Sequence, residues 1–337
     1  MSRASYVSES TRGHDLMAVY TEVPPGELAR FVASYGLGRL LDYKGITQGV
    51  ENTNYRVDTE KGRFFLTLYE KRVAVGDLPF FLGLMEHLAD HGLNCPVPLH
   101  NSAGVVLGEL AGRPAAIVTW LEGAWPKSQS VAQCAALGAA LAELHLDGAD
   151  FKLTRANALG ISGWRPLFEK FAAHCDRIAP KLDVAIGDEL KFVEALWPHD
   201  LPQGVIHADL FPDNTFFIGD KLSAIFDFYF ACNDSLAFDL AICINAWCFD
   251  DTHTFSAEKS RALVQSYQQV RPLTGAEITA LPLLTRGAAL RFLLTRAHDW
   301  IHTPPNALVQ RKDPLEYMQK LRFHQSVRDG GAYGLVD

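Results

Sequence analysis

The sequence predicts a two-lobed α+β fold, with a small β-rich N-terminal lobe followed by a larger, mainly helical C-terminal lobe. The chain has 337 residues, which is long enough to bury two hydrophobic cores. Strand-like runs surround one helix between residues 45 and 122, whereas almost every segment beyond Ser130 has helical periodicity. The composition, 48% hydrophobic and 21% charged, is that of an ordinary globular protein.

The N-terminal lobe is assigned to residues 17–122. The Pro residues that open PPGELARFVASYGL predict a short helix. The segments GITQGVENTNYRV and RFFLTLYE, separated by the turn DTEKG, predict strands, as do VVLGEL and RPAAIVTWL further on. Between them, LPFFLGLMEHLADHGL predicts a helix with one apolar face. The lobe is therefore expected to have five or six strands around one helix, and the apolar face of that helix comprises Phe81, Leu84, Met85 and Leu88.

The C-terminal lobe is assigned to residues 123–337, after a segment rich in Gly, Pro and Ser (WLEGAWPKSQS) that is typical of a hinge. Ser130 predicts the start of a long helix. The later helices are expected at about 164–180, 187–197, 234–248, 256–270, 275–301 and 313–328. Residues 205–228 interrupt this pattern with one isolated hairpin.

Charge, apolar runs and cysteines exclude several classes of protein. A net charge of −8 without a long run of Lys and Arg argues against a nucleic-acid partner. The sequence has no uniformly apolar run of the roughly 18–20 residues that a membrane span needs, so no membrane partner is expected. The six cysteines have apolar neighbours and no CxxC spacing, which indicates core residues in a reducing, cytoplasmic compartment. Residues 1–16 are polar and rich in Ser, and predict a disordered extension or an artefactual addition before Met17.

The isolated hairpin carries a cluster of polar residues, in VIHADLFPDNTFF (205–217) and LSAIFDF (222–228). If its turn lies at Gly219–Lys221, antiparallel pairing brings Asn214 opposite Asp227 at the open end. An amide oxygen and a carboxylate are suitable ligands for Mg²⁺, and the remaining coordination positions of the ion would be filled by water and phosphate oxygens. Such a pair can also simply cap two loops. Asp209 favours the metal site, because a carboxylate beside a metal–phosphate group can accept the proton of an attacking hydroxyl.

HADLFPDN (207–214) followed by IFDF (225–228) resembles the catalytic and metal-binding motifs of the aminoglycoside phosphotransferase-like kinases, distant relatives of the protein kinases. The resemblance covers about residues 18–330 and includes the order of the two lobes. It implies a protein-kinase-like fold that uses ATP and Mg²⁺. It also implies that Asp209 is the catalytic base and that Asn214 and Asp227 bind the metal.

Three further residues have counterparts in that family. His207 belongs to the catalytic motif and is expected to brace the loop rather than react. Asp239, in SLAFDLA, matches the family's structural Asp, which braces the catalytic loop. His145, at the end of LGAALAELH, matches a helix that ends in Leu-His and is expected to be structural.

Several segments, in order along the chain, resemble the bacterial homoserine kinases of this superfamily. They are TQGVENTNYRV, FFLTLYEKR, DFYFACNDSLAFDLAICINAWCFD and ALRFLLTRAHDW. The resemblance implies ATP-dependent phosphorylation of the hydroxyl of L-homoserine, a step toward threonine, but it indicates no oligomeric state. Two alternatives stay open: another small-alcohol kinase of the same fold, for choline, an aminoglycoside or methylthioribose, or a non-catalytic nucleotide-binding protein.

The nucleotide is expected to lie under the strand pair that begins at Gly45. Gly49 would let backbone N–H groups approach the phosphates, and Asn52 and Asn54 could add donors, although glycines here could also be ordinary turn residues. The segment TWLEG would be the hinge, its backbone contacting the adenine edge, so that Trp120 and Glu122 mark this contact.

One position departs from the usual kinase pattern. Kinases of this type carry a Lys on the third strand, where this sequence has Thr67. Lys71 has the same strand parity as Thr67 and could reach the phosphate if the strand continues that far. Without this Lys, Mg²⁺ and loop backbone would carry more of the phosphate charge.

A zwitterionic amino-acid substrate needs a cation for its carboxylate and an anion for its ammonium group. Arg291 and Arg296, in ALRFLLTRAHDW, are the candidates for the carboxylate, because a guanidinium can donate two parallel hydrogen bonds to it. They could equally be surface residues. Asp234 and Asn245 are candidates for the ammonium and hydroxyl groups, and Asp234 also fits the N-cap of a helix.

Overall fold

The computed structural model describes residues 21–46, 52–70, 73–303 and 311–335. They form a small lobe built on an antiparallel sheet and a larger, mostly helical lobe. The predicted extension 1–16 lies outside the described residues, as do Gly49 and Lys71.

The small lobe is a five-stranded antiparallel sheet in the order β1-β2-β3-β5-β4. Its strands are β1 (Leu40–Ile46), β2 (Thr53–Thr59), β3 (Gly62–Leu68), β4 (Gly108–Leu110) and β5 (Arg113–Thr119). Alternate residues of β2 are buried, as expected for a sheet with one face on a core. Helix α1 (Pro25–Ser34) covers this face through Leu28 and Val32, in a core of its own. The prediction of five or six strands is confirmed, since the sheet has five.

Helix α2 (Leu78–Asp90) belongs to the small lobe in sequence but packs into the core of the large lobe. Its predicted apolar face is the buried one: Phe81, Leu84, Met85 and Leu88. These side chains join the hydrophobic cluster of the large-lobe helices, whereas α1 and the sheet form the separate small-lobe cluster. Helix α2 therefore connects the two lobes.

The large lobe contains seven α-helices within the described ranges. They are α3 (Val131–Asp147), α4 (Ile161–Glu169), α5 (Leu182–Leu196), α6 (Leu236–Trp247), α7 (Ala257–Val270), α8 (Gly275–His302) and α9 (Leu315–Ser326). Ser130 is the N-cap of α3 as predicted, and it forms a capping box with Gln133. The helix predicted at 164–180 is wrong in extent, because α4 ends at Glu169 and a 3₁₀ turn covers Ala172–Arg177.

The strands of the large lobe form two antiparallel pairs, and the single isolated hairpin of the sequence prediction is wrong. One pair is the predicted hairpin, β7 (Thr215–Ile218) with β8 (Lys221–Ile225). The other joins β6 (Gln203–Ile206) to β9 (Cys232–Ser235). The sequence prediction placed residues 234 and 235 in a helix, but they form ladder contacts with β6, and α6 begins only at Leu236.

Helix α8 has the length and apolar composition that could span a membrane, with 28 residues and a mean hydropathy of 1.2 in its most apolar window. In the structure 61% of that window is buried inside the protein. The helix packs against α4, α5, α6 and α9. It is therefore explained as the central core helix of the large lobe.

Candidate active site

A cavity of about 760 Å³ lies between the two lobes. Its small-lobe wall is largely apolar, and its large-lobe wall carries charged groups. Four carboxylates and three cationic side chains occur among the described lining residues: Asp209, Asp213, Asp227, Asp299, Arg291, Arg296 and Lys312. This concave site with convergent polar groups is the default location for substrate binding.

The loop that follows β6 holds Asp209 at the cavity through an unusual backbone conformation. Ala208 has φ 63°, in the left-handed region that residues other than Gly rarely adopt. The Asp239 carboxylate stabilises this turn, because its two oxygens accept hydrogen bonds from the N–H groups of His207 (2.7 Å) and Ala208 (2.9 Å). The strained turn thus depends on one buried carboxylate.

Asp239 is itself held by a chain of buried polar groups. His145 Nε2 donates to the carboxylate at 3.2 Å, and the Tyr267 hydroxyl lies 2.8 Å from His145 Nδ1. Arg271 donates in turn to the Tyr267 oxygen at 3.0 Å. Burial alone would raise the pKa of Asp239, but the hydrogen bond from His145 and the donors of His207 outweigh burial and lower the pKa. The carboxylate is therefore ionised at neutral pH.

His207 connects the catalytic loop to the segment that carries Asp227. Its Nε2 donates to the carbonyl of Phe226 at 3.0 Å, and its Nδ1 accepts from the N–H of Asp209 at 3.3 Å. Burial lowers the pKa of His207, so the ring is neutral. His207 is fully buried and is not among the described residues that line the cavity. These contacts indicate a bracing role.

Asn214 and Asp227 both reach the cavity, but their pairing differs by one residue from the predicted register. A bulge between Phe216 and Phe217 shifts the ladder, so that the carbonyl of Asn214 accepts from the N–H of Phe226 at 3.1 Å. Asp227 is the next residue and has φ 66°. The Asn214 amide donates to the Asp209 carbonyl at 2.7 Å, which orients its Oδ1 away from that contact.

The connection between the lobes is anchored to the hairpin. Ala124 and Phe217 exchange backbone hydrogen bonds of 3.1 and 2.9 Å. Gly123 lies so close that an added Cβ would come within 2.4 Å of the Ser223 hydroxyl, at a φ of 142°. Trp120 lines the cavity, but exposed Glu122 is not among its described lining residues, and its carbonyl accepts from Ser223.

On the small-lobe side, the predicted residues Asn52, Asn54 and Thr67 all line the cavity. The Thr67 hydroxyl donates to Asn54 Oδ1 at 3.1 Å, and the carbonyl oxygen of the Asn52 side chain accepts from the N–H of Glu70. Strand β3 ends at Leu68.

Tyr229 lies next to Thr67, the position at which the sequence departs from the expected Lys. Burial raises the pKa of Tyr229 to about 12, although hydrogen bonds with Tyr69 and Thr67 act against burial. Its hydroxyl lies 3.3 Å from that of Tyr69, and its ring packs edge-on against Phe81 of α2. Sequence reasoning missed Tyr229, because this residue stands in the apolar run FYF.

The two arginines of α8 both line the cavity but have different surroundings. Arg291 is 2% exposed and donates to the Ala208 carbonyl, next to Asp209. Within the described residues its Nε has no hydrogen-bond partner. Burial lowers the pKa of Arg291, while the charge of Asp209 opposes this shift. Arg296 instead pairs with Glu316 and lies over the ring of Tyr317.

Asp234 and Asn245 are not brought to the cavity and are absent from its described lining residues. Asp234 lies in β9, where it accepts from the Asn157 amide at 2.7 Å, and the N-cap of α6 is Ser235. Asn245 is fully buried, and its amide donates to the carbonyls of Ala241 and Thr285. The proposed substrate contacts of both residues find no support in this geometry.

Comparison with known proteins identifies the family of the chain. The sequence pattern of the phosphotransferase enzyme family matches residues 42–273. A homoserine kinase from Afipia carboxidovorans is 60% identical over 95% of this chain and 98% of its own length. Homoserine kinases from Bradyrhizobium diazoefficiens and Paramagnetospirillum magneticum are 59% and 57% identical, each over 95% of this chain and 98% and 100% of their own lengths.

Solved structures show the same fold at low sequence identity. A spectinomycin phosphotransferase in complex with ADP and spectinomycin aligns with a TM-score of 0.65 at 14% identity, over 93% of this chain and 97% of that one. An amicoumacin kinase in complex with AMP-PNP aligns at 0.64 and 15% identity, over 89% and 92%. The predicted two-lobed, protein-kinase-like fold is thereby confirmed. The chain belongs to the phosphotransferase enzyme family and, within it, to the homoserine kinases.

Proposed function

We propose that the chain transfers the γ-phosphoryl group of ATP to the hydroxyl of L-homoserine, which gives O-phosphohomoserine for threonine biosynthesis. The observation that carries this function is the convergence of Asp209, Asn214, Asp227 and Arg291 on one cavity, with Asn214 bonded to the Asp209 backbone and Arg291 close enough to interact with the Asp209 charge. The full-length relatives favour homoserine over choline, aminoglycosides and methylthioribose. The same arrangement argues against a non-catalytic protein.

Asn214 and Asp227 are the proposed ligands of Mg²⁺. Their fit rests on their oxygens: the amide nitrogen of Asn214 is engaged by the Asp209 carbonyl, which leaves the harder oxygen for a cation. Both residues line the cavity, and Asp227 is fixed in a left-handed conformation. When bound, the ion would neutralise charge on the phosphates during transfer.

The adenine is proposed to lie in the apolar part of the cavity. Phe65, Val118 and Trp120 line this part, with Met85 of α2 beside them. Asn52, Asn54 and Thr67 would contact the phosphates from the small-lobe side. No cationic side chain occurs among the described lining residues of that lobe. The side-chain N–H groups of Asn52 and Asn54, whose oxygens already accept from Glu70 N–H and the Thr67 hydroxyl, would thus supply hydrogen-bond donors where a Lys was expected.

The chemical step follows from the position of Asp209. Its carboxylate would orient the homoserine hydroxyl and accept its proton as the oxygen forms a bond to the γ-phosphorus. The bond between that phosphorus and the β–γ bridging oxygen breaks, and ADP leaves. Catalysis of this kind depends mainly on positioning and on stabilisation of charge.

Arg291 is the proposed partner of the substrate carboxylate, since it is buried at the cavity next to Asp209 with an unpaired Nε. We expect Arg291→Lys to lower kcat/KM for homoserine by about 10- to 100-fold, the usual worth of a charged, two-pronged hydrogen bond. We expect a much smaller loss for 3-aminopropan-1-ol, which has the hydroxyl and ammonium but no carboxylate. Steady-state kinetics with both alcohols measures this difference.

Arg296→Lys is the matched control, because this guanidinium is already paired with Glu316. It should leave the preference for homoserine over the aminoalcohol nearly unchanged. Equal losses for both alcohols in Arg291→Lys would show that Arg291 only supports the loop at Ala208.

The function as a whole is tested by ADP release from Mg²⁺–ATP with homoserine, choline, kanamycin and methylthioribose. Homoserine is expected to give the highest kcat/KM. Faster turnover of another alcohol would overturn the assignment of homoserine as the substrate. The absence of turnover with all four alcohols would overturn the assignment of kinase activity.

A further inference from the structure

A second group of ligand-type side chains lies at the end of α2, outside the described lining of the kinase cavity. It comprises His87 and His91, one helical turn apart, and Asp150, which follows α3. His87 Nε2 is 2.9 Å from the Asp150 carboxylate, and His91 Nε2 is 4.0 Å from the same oxygen. One ligand atom from each residue lies within 4.8 Å of the other two.

The backbone already orients His91 as a metal ligand. Its Nδ1 donates to the carbonyl of His87 at 2.8 Å, so its Nε2 carries the lone pair. A hydrogen bond from the other ring nitrogen to a carbonyl is the usual support of a metal-binding histidine. The Asp147 carbonyl, 2.8 Å from His87 Nε2, adds a fourth potential ligand atom at the same place.

The spacing of these atoms also fits a cation. Four ligands at about 2.1 Å from a tetrahedral ion stand about 3.4 Å from one another. The observed separations of 2.9 and 4.0 Å from the Asp150 oxygen lie on either side of that value. Asp150 is 66% exposed and His91 41%, so small side-chain rotations can close the site.

We propose that His87, His91 and Asp150 form a site for a divalent transition-metal ion of the Zn²⁺ class. Two imidazoles and one carboxylate are the ligands that such ions prefer over Mg²⁺. When the ion binds, the proton of His87 moves from Nε2 to Nδ1, so that Nε2 binds through its lone pair, and the fourth position is left to the Asp147 carbonyl or to water.

The ion would hold α2 against the segment Asp147–Arg155, which already runs along that helix. Phe151 packs against Phe80, with ring centroids 5.5 Å apart, and Arg155 pairs with Asp77 at 2.7 Å, before the first turn of α2. Arg155 also donates to the Ala231 carbonyl, four residues after Asp227. A metal ion at the far end of α2 therefore fixes the helix that connects the lobes.

The chain contains a matched control in α8. His298 and His302 are also one turn apart, with ring centroids 4.3 Å apart and a hydrogen bond of 2.8 Å from His302 Nδ1 to the His298 carbonyl. Within the described residues this pair has no third ligand arranged as Asp150 is. Variants of this pair therefore distinguish metal binding at a three-residue site from the weaker affinity that any two histidines one helical turn apart have for metal ions.

The test is a titration of chelator-treated protein with Zn²⁺, in competition with a chromophoric chelator and without nucleotide, supported by Co²⁺ spectra. Wild type should bind one equivalent, and the melting temperature should rise. His91→Ala and Asp150→Asn should each weaken Zn²⁺ binding by about 10-fold or more, since even outer contacts of a metal site contribute 10- to 100-fold. The double variant His298→Ala/His302→Ala should bind as wild type does.

Absence of saturable binding to wild type, or unchanged binding by His91→Ala and Asp150→Asn, would overturn the site, as would loss of binding in the α8 double variant. Since binding is measured without ATP or homoserine, the outcome is independent of the proposed kinase function. Zinc-free His91→Ala, assayed with Mg²⁺–ATP, should turn over homoserine as wild type does, which shows that the variant is folded.

Discussion

Replacing Asp209 with Asn is expected to lower kcat for homoserine by about 10²- to 10⁴-fold, the usual contribution of a general base. The change removes the carboxylate that would accept the hydroxyl proton but keeps a side chain of the same size. The loop should stay in place, because Asp239 and Arg291 hold it through the backbone of His207 and Ala208. ATP binding, measured by calorimetry, should therefore change little.

Asp213→Asn is the matched control on the same loop. Asp213 also lines the cavity, but its carboxylate is 63% exposed and lies 3.6 Å from Lys312. An exposed ion pair of this kind contributes little, so turnover should stay close to that of wild type. Nearly normal turnover by Asp209→Asn would contradict the assigned role of Asp209, whereas an equal loss in both variants would point to the net charge of the cavity.

Asp239→Asn is expected to lower the free energy of unfolding by about 3–5 kcal/mol, the usual cost of removing one partner from a buried charged network. The carboxylate accepts from two backbone N–H groups and from His145, and an amide cannot accept from all three. Urea unfolding at pH 7 measures the loss. Because the left-handed turn at Ala208 depends on these bonds, kcat should also fall.

Asp188→Asn serves as the control for Asp239→Asn, since Asp188 is 69% exposed and pairs only with Lys191 among the contacts described for it. It should leave both stability and kcat close to wild type. Wild-type stability in Asp239→Asn would show that the network is not needed to hold the loop.

The pKa of Asp239 also gives the sign of a pH dependence. Its folded-state pKa lies below the ordinary value of 3.8, so the ionised form stabilises the fold fully above about pH 4. That contribution is lost as the pH falls through the folded-state pKa. His207, with a pKa below 6.5, acts in the same direction at higher pH, because only the unfolded chain takes up its proton readily. Urea unfolding of wild type at pH 7, 5.5, 4 and 3 should show a steady decline in stability, and in Asp239→Asn the part of the decline below about pH 4 should be missing.

The fold class could be predicted because the periodicities of both lobes are local. The two residues of the α3 capping box, Ser130 and Gln133, are only three positions apart, and the apolar residues of α2 recur every three or four positions. The spacing of Asp209, Asn214 and Asp227 depends on one short hairpin. The predicted register was off by one residue: the strand pair closes at Ile218 and Lys221, and with the bulge Asn214 stands opposite Phe226. Side-chain alternation alone shows neither the closing pair of a hairpin nor a bulge.

Long-range contacts account for what the sequence did not predict. Strand β9 forms only because β6, which ends 26 residues before it, offers a free edge, so residues 232–235 are held as a strand. The sequence shows Asn245 as a polar residue in an apolar helix, and this pattern is the same whether the side chain contacts a substrate or a neighbouring helix. The structure places it against Thr285 and His324, far along the chain.

By itself the sequence determined the two lobes, the hairpin and the three polar residues at its open end, since each depends on neighbours within a few residues. The tertiary structure alone decided which of the arginines approaches Asp209, that Tyr229 lies near Thr67, and that α2 packs with the large lobe. These are packing outcomes between segments that are far apart in the chain, and periodicity carries no information about which face of one element meets which face of another.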